Sequence, residues 1–328
     1  MGRRDVASRR RDVASRRRDA VGRRRAATLI VVCVVVALAA WKLAPGDHSE
    51  SGASNLPPGA EPVDPSQFAT GACIAFPPTE GDKHETVFLD AGHGGIDPGA
   101  VGTTESGQTI YEADETLPVE LDAMTLLRSQ GFRVVVSRTG PTTVAALGPD
   151  DEQGDVLTLQ GSHDDVAARD VCANEAGADV LVGIYFDAGS SSDEAGSIAA
   201  YDADRPFSQQ NLRVATLVQN EVLSELNSHG WQIPDDGVVT DSSLGSYVGS
   251  PDEGGIAAEA ANYDHLLLIG PSDAGFFSTP SRMPGTVVEP LYITDPFEGS
   301  IAASKSGQQA IARGIDLAVE QYYAAPAK

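Results

Sequence analysis

TVFLDAGHGGIDPGAVG, residues 86–102, decides how the rest of the chain is read. An apolar run ends in Asp90, and the chain then collapses into glycines around a single His93. A short apolar run bounded by glycine reads as a buried strand followed by a turn. In an open α/β sheet, the turn at the carboxyl end of a strand is where functional groups collect. His93 is therefore either a metal ligand or a polar residue in an ordinary turn, and the segments downstream must separate the two.

Outward from this turn the signals alternate. Residues 112–131, EADETLPVELDAMTLLRSQG, place Leu117, Leu121, Met124 and Leu127 at helical spacing and stop at Gly131, with Pro118 as a possible later start. FRVVVSR (132–138) reads as a strand, DDVAARDVCANEAG (164–177) as a helix, and DVLVGIYFD (179–187) as a strand apolar enough to be covered on both faces. Strands follow at 196–202, 265–271 and 285–292, with helices at 209–230 and 307–324. The polar, Gly-rich stretch 230–264 shows no element and reads as a long loop near the site. Strands separated by helices imply an α/β fold: a single domain over 81–325, with a mainly parallel twisted sheet and helices on both faces.

Ahead of that domain the composition changes three times. Residues 1–25 carry 11 of the 23 Lys and Arg but only 3 of the 47 acids, so 12 basic and 44 acidic residues remain, a balance of −32. That acidic bulk leaves no basic surface to neutralise phosphates and argues against nucleic acid. The tail repeats a heptad, RRDVASR (3–9), RRDVASR (10–16) and RRDAVGR (17–23), and reads as a cytoplasmic basic tail drawn to anionic headgroups. Uncharged AATLIVVCVVVALAAW (26–41), extended to 44, reads as a transmembrane signal anchor in the cytoplasmic membrane, or else as a signal peptide of a secreted chain. Residues 45–80, rich in Pro, Gly, Ser and acids, read as a linker. Of three cysteines, Cys33 lies in the apolar segment. Cys73 and Cys172 would face an oxidising compartment, where one disulfide is the simplest pairing.

LDAGHGGIDPGAVG (89–102) nearly reproduces the opening signature of the zinc-dependent N-acetylmuramoyl-L-alanine amidases called Amidase_3, and the resemblance runs in order over roughly 84–324. YEADETL (111–117) stands where that family places a glutamate ligand at the start of a helix, which makes Glu112 the match and Glu115 the fallback. ARDVCANEAGADVLVGIYFDAG (168–189) resembles the family's Arg, Ala-Asn and Ala-Asp pattern, and MPGTVVEPLYITDPFE (283–298) supplies Glu289 where the family has its catalytic base.

The resemblance implies a cell-wall hydrolase, anchored if the segment 26–44 is the signal anchor it reads as. It would cleave the bond between muramic acid lactyl and L-alanine of peptidoglycan, with Zn2+ held by His93, Glu112 and a third ligand. The family's histidine at that third place is Tyr185 here. A phenol near its usual pKa of ~10 is a weak neutral-pH ligand, so Asp187, two residues on, is the alternative, and His163 or His265 are more distant ones. A second class of reading follows from the same departure: a pseudo-amidase that binds peptidoglycan or a division partner without cleaving it. Glu289 inside an apolar strand favours the enzyme, since an unused carboxylate is costly to bury.

Overall fold

The computed structural model describes residues 58–244 and 262–324 apart from Pro65, together with Leu56 and Ala260. The basic tail and the apolar segment 26–44 lie outside the described residues. In chain order the elements are β1 (Glu61–Pro62), β2 (Ala72–Phe76), β3 (Thr86–Ala91), a small ribbon of β4 (Val101–Thr103) and β5 (Thr109–Tyr111), α1 (Glu112–Ser129) and β6 (Arg133–Arg138). They continue with α2 (Leu159–Glu175), β7 (Val180–Ile184), β8 (Ser197–Tyr201), α3 (Ser208–Ser228) and β9 (Asp235–Thr240). A 3-10 turn (Asp241–Ser243), β10 (Gly285–Glu289), α4 (Pro296–Ala302) and α5 (Lys305–Ala324) complete the chain.

The main sheet has eight strands in the order β1-β2-β6-β3-β7-β10-β8-β9. Its centre, β6-β3-β7-β10, is parallel throughout, and β8 runs antiparallel to β10. Strands that are apolar in every position sit here because both faces are covered. Val87 and Leu89 point to the layer formed by α1, α3 and α5, while Phe88 and Leu181 point to the layer with α2 and Leu268. The α/β expectation, a mainly parallel sheet with helices on both faces, is met.

Several local expectations are revised. The stretch read as linker contains β1 and β2, and Phe68, Cys73, Ile74 and Phe76 in it are buried. Alternating polar and proline residues around a five-residue strand hide it from a composition reading. Residues 265–271 are not a strand. The amides of Ile269 and Gly270 both bond back to the Leu266 carbonyl, and the resulting turn drives Leu268 and Ile269 under the sheet. Burial, not pairing, explains those apolar residues. Part of the stretch read as a loop is β9, an edge strand too polar to announce itself. Helix α1 starts at Glu112 and keeps Pro118 inside, since buried Val119, Ala123 and Leu127 hold it to the core.

Cys73 and Cys172 form the expected disulfide, Cα atoms 5.7 Å apart, joining β2 to α2. Among the described residues no helix is long and apolar enough to cross a membrane. Helices α3 and α5, with 21 and 20 residues, have the length but carry acids and amides along their course. The expectation of a single-pass protein of the cytoplasmic membrane therefore finds no spanning helix among the described residues and is not carried further; the segment it named, 26–44, lies outside them.

Candidate functional site

The carboxyl ends of β3, β7 and β10 lie side by side on one edge of the sheet, and His93, Tyr185, Asp187 and Glu289 follow from them. His93 is held at φ +59°, a left-handed conformation unusual for a side-chain-bearing residue and common where structure over-determines it. The constraint comes from two buried arginines. Arg169 donates to the carbonyls of Ala91 and His93 while ion-pairing with Asp90 at 2.6 Å and Asp165 at 2.7 Å. Arg138 donates to the carbonyls of Ala91, Gly92 and Ala113.

In that conformation Nδ1 of His93 lies 2.8 Å from an Asp97 oxygen, and Nε2 lies 3.1 Å from Glu112 Oε2. Glu112 is fixed in turn, since Oε1 accepts from the Phe186 amide and Oε2 from the Ala100 amide. Gly99, at φ +66°, makes the approach possible. A Cβ there would stand 2.6 Å from the His93 ring and 2.7 Å from Glu112 Oε2. Burial alone would lower the basicity of His93, but the Glu112 and Asp97 carboxylates outweigh it and push its pKa up to about 10.

Tyr185 is turned elsewhere. Its hydroxyl donates to Asp90 Oδ2 at 3.0 Å, on the side of Asp90 opposite Arg169's contact, and its ring meets that of His93 edge-on at 5.5 Å. Gly92 leaves room for the ring, since a Cβ would stand 2.5 Å from it. Burial and the Asp90 charge raise the phenol's pKa, so the proton stays on oxygen. Asp187 and Glu289 are both raised above the ordinary carboxylate range, first by burial and then by neighbouring carboxylates, Glu112 acting on both and Asp187 on Glu289. The fallback Glu115 is absent from this group. It accepts from Gln308, and burial pushes it up to about 7.

Two donors four-coordinate around zinc at about 2.0–2.1 Å stand roughly 3.3 Å apart, which the His93–Glu112 spacing of 3.1 Å matches. Asp97 behind the imidazole supplies the orienting carboxylate such ligands have. The donor chemistry therefore fits zinc at these two residues, while Tyr185 does not point to them. Among the described residues the group of three acids or imidazoles close enough to hold an ion lies elsewhere: Asp202, Asp241 and His265. Sequence reasoning missed Asp97, Asp202 and Asp241. Asp97 sits inside the signature itself, and its spacing of four from His93 was the available signal.

The Amidase_3 pattern, described as N-acetylmuramoyl-L-alanine amidase, matches residues 87–321. The germination-specific N-acetylmuramoyl-L-alanine amidase of Bacillus subtilis is 28% identical over 142 residues, 43% of this chain and 54% of that protein. The chain thus spans about half the length of that relative. An N-acetylmuramoyl-L-alanine amidase structure from Clostridium difficile 630 superposes with a TM-score of 0.50 at 24% identity, over 74% of this chain and 98% of that one. The CwlD amidase from Clostridioides difficile, solved with the GerS lipoprotein, gives 0.52 at 20% identity over 73% and 98%. At these identities the two structures speak for the fold.

Proposed function

We infer that this chain, which belongs to the Amidase_3 family of N-acetylmuramoyl-L-alanine amidases, hydrolyses the amide between the lactyl group of muramic acid and the L-alanine of the peptidoglycan stem. The observation that carries this reading is Glu289, a carboxyl at the end of β10, beside the strand ends that carry His93 and Asp187 and within the field of Asp187, Glu112 and His93. A carboxyl whose pKa is raised is suited to take a proton from water and return it to a leaving amine.

His93 and Glu112 would hold the zinc on which the family generally depends, with Asp187 as third donor in preference to Tyr185, whose hydroxyl serves Asp90. Zinc held there would supply a Lewis acid for the scissile carbonyl and lower the pKa of a water to about 7. The protein's own groups do the rest. Asp97 fixes the His93 ring, the Phe186 and Ala100 amides fix Glu112, and the Asp187 and Glu112 charges keep the Glu289 carboxyl basic. Glu289 then accepts the proton of the attacking water and passes it to the departing nitrogen of L-alanine. The Cys73–Cys172 bridge supports a secreted chain working in an oxidising compartment, on the wall side.

Tyr185 favours one other reading: a pseudo-amidase that grips peptidoglycan without cutting it. Incubating the full chain with purified sacculi and measuring peptides with a free N-terminal L-alanine separates the two. Release by the wild type and its loss in Glu289→Gln support hydrolysis. No release, with the chain still pelleting on sacculi, establishes the binder.

A further inference from the structure

The opposite edge of the sheet holds a second constellation. Strand β8 runs antiparallel to β10, with Glu289 paired to Ile198, so the carboxyl end of β8 lies at the other end of the strands from Glu289. Strand β9 runs parallel to β8 with Tyr201 in register with Thr240. The next residue on each strand is Asp202 and Asp241, which therefore meet side by side. The turn at 265–270 brings His265 onto both. Its Nδ1 lies 3.0 Å from Asp202 Oδ2 and 3.2 Å from Asp241 Oδ2.

An ordinary ion pair does not satisfy this group. The one Nδ1 proton is shared between two carboxylates 3.0 Å and 3.2 Å away, so neither receives a full hydrogen bond. Asp202 is fully buried, and its Oδ2, aimed into the cluster, has the ion-pair contact with His265 Nδ1 but no well-aligned hydrogen bond among the described residues. Its other oxygen is fixed by the amides of Asp204 at 2.6 Å and Arg205 at 3.0 Å, while Asp241 Oδ2 is fixed by the Leu266 amide at 3.1 Å. The nearby Arg205 guanidinium points instead at the carbonyls of Ile269, Gly270 and Ser281. A buried carboxylate oxygen without a full hydrogen bond, facing a second carboxylate across one imidazole, is an arrangement that a cation would satisfy.

We propose that Asp202, Asp241 and His265 form a divalent-cation site, separate from the amidase centre and at the opposite edge of the sheet. The three ligand atoms lie within 4.8 Å of one another, and the two nitrogen–oxygen spacings approximate the roughly 3.3 Å expected between ligands of a small divalent ion. One imidazole and two carboxylates suit a first-row ion of the Zn2+ or Mn2+ kind. Asp204, 3.8 Å from Nε2, stands where an outer carboxylate orients a ligating imidazole. With 20% of the His265 side chain exposed, the ion has a way in. Its structural effect is to tie the ends of β8 and β9 to the turn that plugs the sheet.

The test counts ions on the full chain after EDTA stripping and dialysis against Zn2+ or Mn2+, by elemental analysis, in the wild type, His93→Ala, Asp241→Asn and His265→Ala. Circular dichroism confirms that each variant is folded, and near-isosteric Asp241→Asn guards against a collapse of the larger truncation. The expected result is one ion retained by His93→Ala and lost, or bound at least tenfold more weakly, in both Asp241→Asn and His265→Ala. The same ion should raise the melting temperature of the wild type and leave that of Asp241→Asn unmoved. A wild type that binds no ion beyond one removed by His93→Ala, or Asp241→Asn that binds as the wild type does, overturns the proposal. Neither result bears on whether the chain cleaves peptidoglycan.

Discussion

The two edges of the sheet solve the same problem in opposite ways. At the proposed amidase site, His93 and Glu112 meet with their other polar atoms already bonded, while Tyr185 is turned to the buried Asp90–Arg169 pair. At the far edge no motif announces anything, yet two in-register strands and one turn bring a histidine between two carboxylates and leave an oxygen without a full hydrogen bond. A signature in the sequence locates a site, but the number of ligands is settled by what each side chain finds to bond in the packed molecule.

The sharpest way to break this comparison is to disable one edge and watch the other. Glu289→Gln removes the group proposed to move protons and should lower release of L-alanine-terminated peptides by about 10²–10⁴-fold, while Asp241→Asn should leave it within about threefold of the wild type. Equal losses in both would mean the edges are not independent. The raised carboxyl pair also predicts that the acid limb of the wild-type rate profile lies above the ordinary carboxylate range.

Next in size is the bridge that anchors β2 against α2. Cys73 and Cys172 are 99 residues apart in sequence, and opening a loop of that size by a double serine substitution should cost about 4 kcal/mol. Denaturant unfolding measures it. A loss confined to β2, seen as early hydrogen exchange there with the rest protected, would sharpen the comparison by showing that both edges stand without this flank.

Glu120 gives a pH test of the floor beneath His93. Its Oε1 accepts from the amides of Ala91 and Ser137, and burial, opposed by Arg138, pushes its pKa up to about 8. Between its unfolded value of about 4.5 and about 8, the folded protein holds a proton the unfolded chain has released. Stability from this group is therefore lost as pH rises through that window. Glu120→Gln, neutral throughout, should be less pH-dependent than the wild type by about 2–4 kcal/mol between pH 5 and 8, read from urea unfolding at each pH.

The smallest effect separates a ligand from a structural tyrosine. Tyr185→Phe should cost about 1–2 kcal/mol for the lost bond to Asp90 and change the amidase rate by less than about threefold. A collapse of activity or of metal content would place the phenol back among the ligands.

Much of this was legible in the chain. The run ending at Asp90, the helix opening at Glu112 and the strand ending at Glu289 are written in apolar period and glycine position, because a strand buried on both faces must be apolar throughout. The flanks were not. β2 hides among prolines, β9 is polar because one side of it has no neighbouring strand among the described residues, and Leu266–Ile269 look like a strand because burial in a turn selects the same residues as burial in a sheet.

By itself, then, the sequence determined the α/β alternation, the disulfide pair and the residues that face one another as His93 and Glu112, since these follow from local period, a count of cysteines and one signature. The direction of Tyr185 and the meeting of Asp202, Asp241 and His265 were decided only in the tertiary structure. Strand register and the choice of hydrogen-bond partner depend on residues far apart in the chain, and no local pattern records which of two carboxylates a buried hydroxyl will find nearer.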